Sequence, residues 1–330
     1  MTVLLGTENL YKEFTVRGSA FAEKKTLTAV AGVDLEIGAG ETLGIAGESG
    51  CGKSTLARLL TALMPPTRGA IRYQGKELAS MSAPELRNFR KEVQMIFQDP
   101  FSSLNPRMRV SEIIAEPLII HGMGNASQRR ERVAQLLERV GLSAGQFTRF
   151  PHEFSGGQRQ RIGIARALAV SPRLIIADEP VSALDLSIQA QIMNLLQEVK
   201  RDLGLSFLFI THDLSVLKHL SDRIAIMYLG RIVETGSRDD VLTAPLHPYT
   251  EALLSAIPSI DPDKRRRRVI AKGELPSPVA PPPGCPFHTR CPYAQPVCSE
   301  QRPELEEKEP GHRAACHFSA EIYRTPQASR

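Results

Sequence analysis

No apolar run in this chain approaches the roughly 18 residues that a helix needs to span a bilayer. The first residues, Met1 to Gly6, lack a basic stretch followed by a long apolar core, so they do not form a secretory signal. Neither sign of charge is in large excess, since the formal net charge of +5 permits contact with an anionic membrane or with nucleic acid but selects neither. These absences predict a cytosolic protein that would serve a membrane only by docking on other subunits.

The composition is that of a globular protein, with 42% hydrophobic and 23% charged residues in a chain of 330. We find no internal repeat. Residues 1–45 are typical of short strands with turns, and the region from about 99 to 170 is typical of a helical insertion. Strands are predicted at 42–46, 93–97, 174–177 and 206–210, and helices at 55–64, 111–121, 126–140 and 188–203. Strands alternating with helices indicate a parallel α/β sheet.

Composition shifts near residue 258, where prolines become frequent and the basic run Lys264–Arg268 follows. We predict a first domain over 1–257 and a small, irregular, Pro-rich extension with four cysteines over 258–330. The basic run is interpreted as a solvated linker face, with contact to anionic lipid headgroups as the alternative.

Residues 47–54 read Gly-Glu-Ser-Gly-Cys-Gly-Lys-Ser, follow a short apolar run, and match the phosphate-binding pattern G-x-x-x-x-G-K-[ST]. A glycine-rich turn lets backbone N–H groups close on phosphate oxygens, and the following helix N-terminus adds a favourable dipole. Lys53 is expected to reach the β- and γ-phosphates and Ser54 to ligate Mg²⁺. The predicted nucleotide-binding residues here are Gly47, Ser49, Gly50, Cys51, Gly52, Lys53, Ser54 and Thr55.

A second candidate feature is the acidic pair Asp178-Glu179, which ends an apolar run. At a strand's end, Asp178 can reach Mg²⁺ directly or through water, and Glu179 can polarise the attacking water. The alternative is a helix cap before Pro180. A phosphate loop in the same chain favours the catalytic interpretation.

The sequence Ser155-Gly156-Gly157-Gln158 stands 20 residues before the acidic pair. A phosphate loop, a Ser-Gly-Gly-Gln element and an apolar run ending in Asp-Glu, in this order, resemble an ATP-binding cassette (ABC) ATPase over roughly residues 5–255. The resemblance implies an α/β fold with a RecA-like parallel sheet core, an N-terminal antiparallel β subdomain and a helical signature subdomain.

The resemblance also implies roles for residues that local patterns do not explain. Phe14 matches an aromatic residue that stacks on adenine, although Tyr11 is close by and nothing local decides between them. Gln98 matches a switch glutamine that senses Mg²⁺ and the membrane subunits. His212 matches a switch histidine that contacts the γ-phosphate.

Two further elements are implied to act across a dimer. Ser155, Gly156, Gly157 and Gln158 match the signature that grips the γ-phosphate on the opposing subunit, and this chain has Phe154 where the family usually has leucine. The run from Ser182 to Asp185 matches a loop that communicates across the dimer. A lone subunit would therefore carry two half-sites, and function would require a dimer that ATP closes and hydrolysis reopens.

Four of the five cysteines, Cys285, Cys291, Cys298 and Cys316, fall near the C-terminus with five, six and seventeen residues between them. These gaps are wider than the C-x₂-C pairs of common zinc sites and differ from ferredoxin runs, and disulfides are rare in the cytosol. The spacing indicates a metal or cluster site, or else four unrelated buried thiols. His288, His312 and His317 lie nearby as alternative ligands.

The sequence from His247 to Thr250 and that from Gly273 to Pro278, followed by Pro-rich sequence, resemble the tail of dipeptide and oligopeptide importer ATPases. That resemblance implies a [4Fe-4S] cluster on the four cysteines, with zinc as the alternative. It also implies a second ATPase subunit of a different chain, two membrane permeases, an extracytoplasmic peptide-binding protein, and a peripheral place on the cytoplasmic face of the membrane. No nucleic acid is expected.

Other readings of the function stay open at this point. The cargo could be nickel, glutathione or another small solute, because the binding protein and the permeases select it. A soluble ABC ATPase acting on ribosomes or DNA is the alternative from another class, but this chain has neither a second cassette nor a long coiled coil.

Overall fold

A computed structural model describes residues 2–17, 24–99, 101, 103–257 and 273–324. Its strands are β1 (Val3–Arg17), β2 (Lys24–Gly38), β3 (Thr42–Ala46), β4 (Arg68–Tyr73), β5 (Lys76–Glu77), β6 (Val93–Ile96), β7 (Leu174–Asp178), β8 (Ser206–Thr211), β9 (Arg223–Tyr228), β10 (Arg231–Ser237), β11 (Glu306–Glu309) and β12 (His312–Ala314). Its α-helices are α1 (Lys53–Leu60), α2 (Ala83–Glu92), α3 (Val110–Ile120), α4 (Ala126–Arg139), α5 (Gly156–Leu168), α6 (Leu186–Leu203), α7 (Leu214–Leu220), α8 (Arg238–Thr243), α9 (Pro248–Ser255), α10 (Pro296–Glu300) and α11 (Ser319–Arg324).

The N-terminal strands form a separate sheet in the order β2-β1-β4-β5, in which every pairing is antiparallel. Alternating side chains of these strands, among them Leu5, Val33 and Ile71, point into an apolar cluster that also contains residues of α1. The predicted N-terminal antiparallel subdomain is confirmed, and its packing on α1 places it beside the phosphate loop.

The core sheet has eight strands in the order β11-β12-β10-β9-β3-β8-β7-β6. Strands β6, β7, β8, β3 and β9 are parallel neighbours, and all residues of β3, β7 and β8 are buried, as expected for parallel strands covered on both faces. Parallel strands end at one edge of the sheet, where ligands of open α/β sheets bind. The loop after β3, Asp178 on β7 and the residues after β6 and β8 therefore meet at this edge.

Helices α3, α4 and α5 form the predicted helical insertion between β6 and β7, and they pack on one another. Their inward-facing side chains, such as Ile113, Leu136 and Ile162, are at most 2% exposed and belong to the same apolar cluster as β7 and β8. None of the helices in the described ranges combines the length and the apolar composition needed to cross a membrane.

Residues 273–324, called the tail below, are more regular than the sequence predicts, and they join the core sheet. Strand β12 pairs antiparallel with β10, and β11 pairs with β12. His312 Nε2 lies 2.8 Å from Glu234 Oε1 on β10, and both side chains are buried. The predicted boundary at 257/258 and the basic run Lys264–Arg268 border or lie in a segment outside the described residues.

Candidate functional site

The phosphate loop passes so close to other backbone that two of its glycines have no room for a side chain. A Cβ on Gly52, whose φ is +107°, would lie 2.0 Å from the carbonyl oxygen of Ala29. A Cβ on Gly47 would lie 2.2 Å from the carbonyl oxygen of Met227. Only glycine fits at such positions, so the loop is wedged between β2 and the end of β9.

Lys53, the first residue of α1, lies folded under the loop with only 4% of its side chain exposed. Its Nζ donates to the carbonyl oxygens of Gly47 at 2.7 Å and Glu48 at 3.0 Å, and it lies 3.9 Å from Glu179 Oε1. A buried ammonium group needs such partners. The same contacts hold a positive charge at the centre of the loop, where a phosphate would bind.

Ser54 and Asp178, the two predicted Mg²⁺ ligands on α1 and β7, are in direct contact. Ser54 Oγ donates to Asp178 Oδ1 at 3.0 Å. Burial raises the pKa of the Asp178 carboxyl group, which is only 3% exposed. A bound cation would favour the ionised carboxylate, so the pair fits a hard cation with oxygen ligands.

Glu179, which follows β7, contacts one residue that follows β6 and one that follows β8. Its Oε2 accepts a hydrogen bond from Gln98 Nε2 at 3.0 Å and lies 3.3 Å from His212 Nδ1. Its φ of 45° is uncommon for a residue with a side chain, and its N–H donates to Ile210 O at 2.8 Å on the neighbouring strand. Strained backbone of this kind is often found at functional sites, and here it fixes the direction of the carboxylate.

A cleft of about 270 Å³ lies over the loop. Residues 49–55, Gln98 and Glu179 line it on one side, and Phe14 and Pro278 of the tail line it as well. Tyr11 does not line the cleft, because its ring lies under the Arg68 guanidinium group at 3.5 Å. Of the two aromatic candidates, Phe14 is the one that lines the cleft.

Ser155 is exposed at the start of α5, and none of the four signature residues lines this cleft. Ser155 Oγ accepts from the N–H of Gln158 at 3.4 Å, and Gln158 Oε1 accepts from the N–H of Ser155 at 3.0 Å. Gly157 packs against α6, where a Cβ would lie 2.5 Å from Ile188 Cγ2, and Gly156 has Leu184 as its neighbour. The N-terminus of α5, a natural anion site, therefore lies outside the cleft over this chain's own loop.

The four clustered cysteines line one small cavity of about 20 Å³ in the tail, and all five cysteines are free of disulfides. Burial raises the pKa of Cys285 to about 11 and that of Cys291 to about 12. Within the described ranges, no group of three or more His, Cys, Asp or Glu side chains is arranged to hold a metal ion. The thiols therefore gather without adopting ligand geometry.

The three candidate histidines each make a hydrogen-bond contact through one ring nitrogen. His288 Nδ1 contacts Cys285 O at 2.8 Å, and His317 Nε2 contacts Gln301 O at 3.0 Å. His312 pairs with Glu234 and does not line the cavity. His288 and His317 line the cavity with the four thiols, and a histidine can bind a metal through one ring nitrogen while the other is hydrogen-bonded.

Three residues at the nucleotide loop were not predicted from the sequence. Arg290 of the tail forms a two-pronged ion pair with Glu48 of the loop, and Tyr249 Oη accepts from the N–H of Glu48 at 2.7 Å. Pro278 of the tail lines the cleft. The available signals were the two stretches that resemble importer ATPases, His247 to Thr250 and Gly273 to Pro278, and the resemblance assigned no role to these side chains.

Two family models match the chain. Residues 30–182 match the one described as ABC transporter, and residues 233–298 match the one for the C-terminal region of oligopeptide/dipeptide transporters. The oligopeptide transport ATP-binding protein OppF of Salmonella typhimurium is 57% identical over 285 residues, which cover 86% of this chain and 85% of that protein. AppF of Bacillus subtilis, named likewise, is 52% identical over 319 residues, covering 96% and 97%.

A solved structure agrees with these matches. The dimeric ATP-binding cassette MJ0796, in a post-hydrolysis state bound to ADP and Pi, superimposes with a TM-score of 0.63 at 29% identity, covering 71% of this chain and 99% of that one. Similarity of this extent, along almost the whole chain and in its fold, is that of common descent. The chain belongs to the family of ABC transporter ATPases.

Proposed function

We propose that this chain is the ATP-hydrolysing, energy-coupling subunit of a bacterial importer for dipeptides or oligopeptides. The observation that carries the proposal is that one chain joins a complete set of ATPase groups around Glu179 to a C-terminal region named for oligopeptide/dipeptide transporters. The names of the relatives, which are oligopeptide transport ATP-binding proteins, support the same cargo class.

We assign the chemical roles from the contacts of each side chain. Lys53 holds the β- and γ-phosphates. Glu179 orients and polarises the attacking water, and Gln98 and His212 hold the Glu179 carboxylate in place. Phe14 stacks on the base. When bound, Mg²⁺ supplies charge neutralisation on the phosphates. The residues that would hold it are Ser54, Gln98 and Asp178.

The place of the signature outside this chain's own cleft supports a dimer in which each chain completes the other's site. Since Ser155 is exposed at the start of α5, the N-terminus of this helix can meet a nucleotide on a second ATPase subunit. We infer that this partner and two permeases form the working assembly at the cytoplasmic face of the membrane, with an extracytoplasmic binding protein delivering cargo.

Uptake by cells that lack this chain tests the cargo. We expect uptake of a radiolabelled tripeptide or pentapeptide to be lost, to return with the wild-type gene, and to stay lost with Glu179→Gln. Glu198→Gln, an exposed change on α6, is the matched control and should restore uptake. Normal peptide uptake with loss of nickel or glutathione uptake would reassign the cargo. Normal uptake of all three would favour an ATPase unconnected with import.

We further propose that Cys285, Cys291, Cys298 and Cys316 hold a [4Fe-4S] cluster, with zinc as the alternative. The thiols line one cavity, and thiolates suit both groups. The raised pKa values of Cys285 and Cys291 mean that these two thiols are protonated in the metal-free protein, so binding a metal through them would release protons. A bound group would cross-link a short segment that has little apolar core of its own.

Protein purified without oxygen should be brown, with broad visible absorption and about four irons per chain. Cys291→Ser should lose the colour, because it removes one ligand of the cavity. Cys51→Ser is the matched control, since this thiol lies in the phosphate loop outside the cavity, and its iron content should equal that of the wild type. Colourless protein with stoichiometric zinc would replace the cluster by zinc, and protein with neither metal would refute the site.

A further inference from the structure

A two-pronged ion pair joins the tail directly to the phosphate loop. Arg290 Nη1 and Nη2 donate to Glu48 Oε2 and Oε1 at 2.8 and 2.9 Å. Arg290 is 8% exposed and the Glu48 side chain is 31% exposed, so solvent screens this pair less than it screens a fully exposed pair. Two parallel bonds between guanidinium and carboxylate fix direction as well as distance.

Glu48 is held at its backbone as well as at its side chain. Its N–H donates to Tyr249 Oη at 2.7 Å, and its carbonyl oxygen accepts from Lys53 Nζ at 3.0 Å. The position of the lysine that is to meet the phosphates therefore depends on where Glu48 lies. Glu48 in turn takes its position from Arg290 and from Tyr249 on α9.

Three aromatic rings that contact one another pack beside the Arg290 guanidinium group. Its guanidinium carbon lies 5.9 Å from the ring centroids of both Tyr228 and Phe287. The rings of Tyr228, Tyr249 and Phe287 lie 4.6 to 5.4 Å from one another between centroids. Phe287 is 1% exposed, so the tail is anchored in the core three residues before Arg290.

Arg290 is carried by a run of tight turns that starts and ends at cavity thiols. The N–H of His288 donates to Cys285 O at 3.0 Å, that of Arg290 to Phe287 O at 2.9 Å, and that of Cys291 to His288 O at 3.3 Å. A displacement of either thiol would therefore be passed along hydrogen-bonded backbone to the guanidinium group.

We propose that Arg290 is a positioning residue that holds the phosphate loop from the tail and thereby couples the cysteine cavity to nucleotide binding. The proposal rests on the proposed function only in that the phosphate loop binds the nucleotide. It does not depend on which cargo is imported or on which group occupies the cysteine cavity. Because coupling between two sites is reciprocal, nucleotide binding must also stabilise the turns that carry Arg290.

The first test measures nucleotide affinity on the full chain with a fluorescent, non-hydrolysable ATP analogue. Arg290→Met keeps the bulk over the rings and removes the ion pair, and we expect binding to weaken about tenfold, within the usual range of site-to-site coupling. Arg290→Lys keeps the positive charge but cannot form two parallel hydrogen bonds, so its nucleotide affinity should lie between those of the wild type and Arg290→Met. Arg72→Met is the matched control, because Arg72 makes the same kind of forked pair with Glu8 on the N-terminal sheet, at 2.6 and 3.1 Å.

A double-mutant cycle separates the effect of the ion pair on nucleotide affinity from any general destabilisation of the protein. If Arg290 acts through Glu48, adding Arg290→Met to Glu48→Gln should weaken binding little further, whereas independent effects would multiply. Multiplying effects, or unchanged affinity in Arg290→Met, would overturn the proposal.

Hydrogen exchange gives a readout that does not depend on affinity or turnover. In the wild type, saturating analogue should slow amide exchange in residues 285–291 as well as in the loop. In Arg290→Lys, saturated at a higher analogue concentration, the analogue should still slow amide exchange in the loop. It should no longer slow exchange in residues 285–291. Equal exchange of residues 285–291 with and without analogue in the wild type would refute the coupling while leaving nucleotide binding established.

Discussion

Glu179→Gln is expected to lower ATP turnover by about 10²- to 10⁴-fold, the usual contribution of a positioned general base. The glutamine keeps the size of the side chain, and it loses the charge that lies 3.3 Å from His212 and polarises the water. Lys53 and the loop are unchanged, so ATP binding should persist and trap a closed dimer. Steady-state phosphate release, together with size-exclusion chromatography in ATP, measures both effects.

Glu198→Gln serves as the control here too, because it makes the same chemical change on the exposed face of α6 and should turn over ATP at the wild-type rate. Turnover near the wild-type level in Glu179→Gln would remove this residue from the catalytic role. The backbone strain at Glu179 would then need another explanation.

Ser155→Arg is expected to abolish hydrolysis at the partner's nucleotide while this chain's own loop still binds ATP. A large cation replaces the exposed cap of α5 and blocks the N–H groups there. Because no signature residue lines the cleft over this chain's loop, nucleotide affinity of the isolated subunit should stay within about twofold of the wild type, as is usual for surface substitutions.

The chain offers a close control for this change. Ser82 is also an exposed N-terminal cap, with a capping box to Glu85 on α2, so Ser82→Arg costs a similar amount of helix stability away from the signature. Turnover should survive in Ser82→Arg. Loss of nucleotide binding in the isolated Ser155→Arg subunit would show that the signature acts on its own chain.

Features encoded by contiguous residues could be predicted from the sequence. Residues 42–64 are predicted to contain a buried strand, a glycine loop and a helix in one run, and the structure has β3 and α1 there, although α1 spans 53–60 rather than 55–64. The predicted strands at 93–97, 174–177 and 206–210 are confirmed to within one residue at each end. Helix α6 starts at Leu186 rather than 188, because Asp185 caps it by accepting from the N–H of Ile188 at 3.1 Å.

Features that depend on distant residues could not be predicted in this way. Glu48 and Arg290 lie 242 positions apart, and each is an ordinary charged residue in its local sequence. Strand β11 reads Glu-Glu-Lys-Glu, which has no apolar alternation to mark it as a strand. It forms because β12 beside it is anchored by His312 on Glu234, a contact with no local signature.

The pairing of β12 with β10 also decides what the core sheet shows to other proteins. Without it, β10 would present a row of unpaired N–H and C=O groups, onto which another chain could add a strand. With it, the outermost strand on that side is β11, whose side chains are charged and mostly exposed. Charged edge strands of this kind discourage edge-to-edge pairing. The tail thus protects the sheet against aggregation, a benefit independent of nucleotide, metal and cargo.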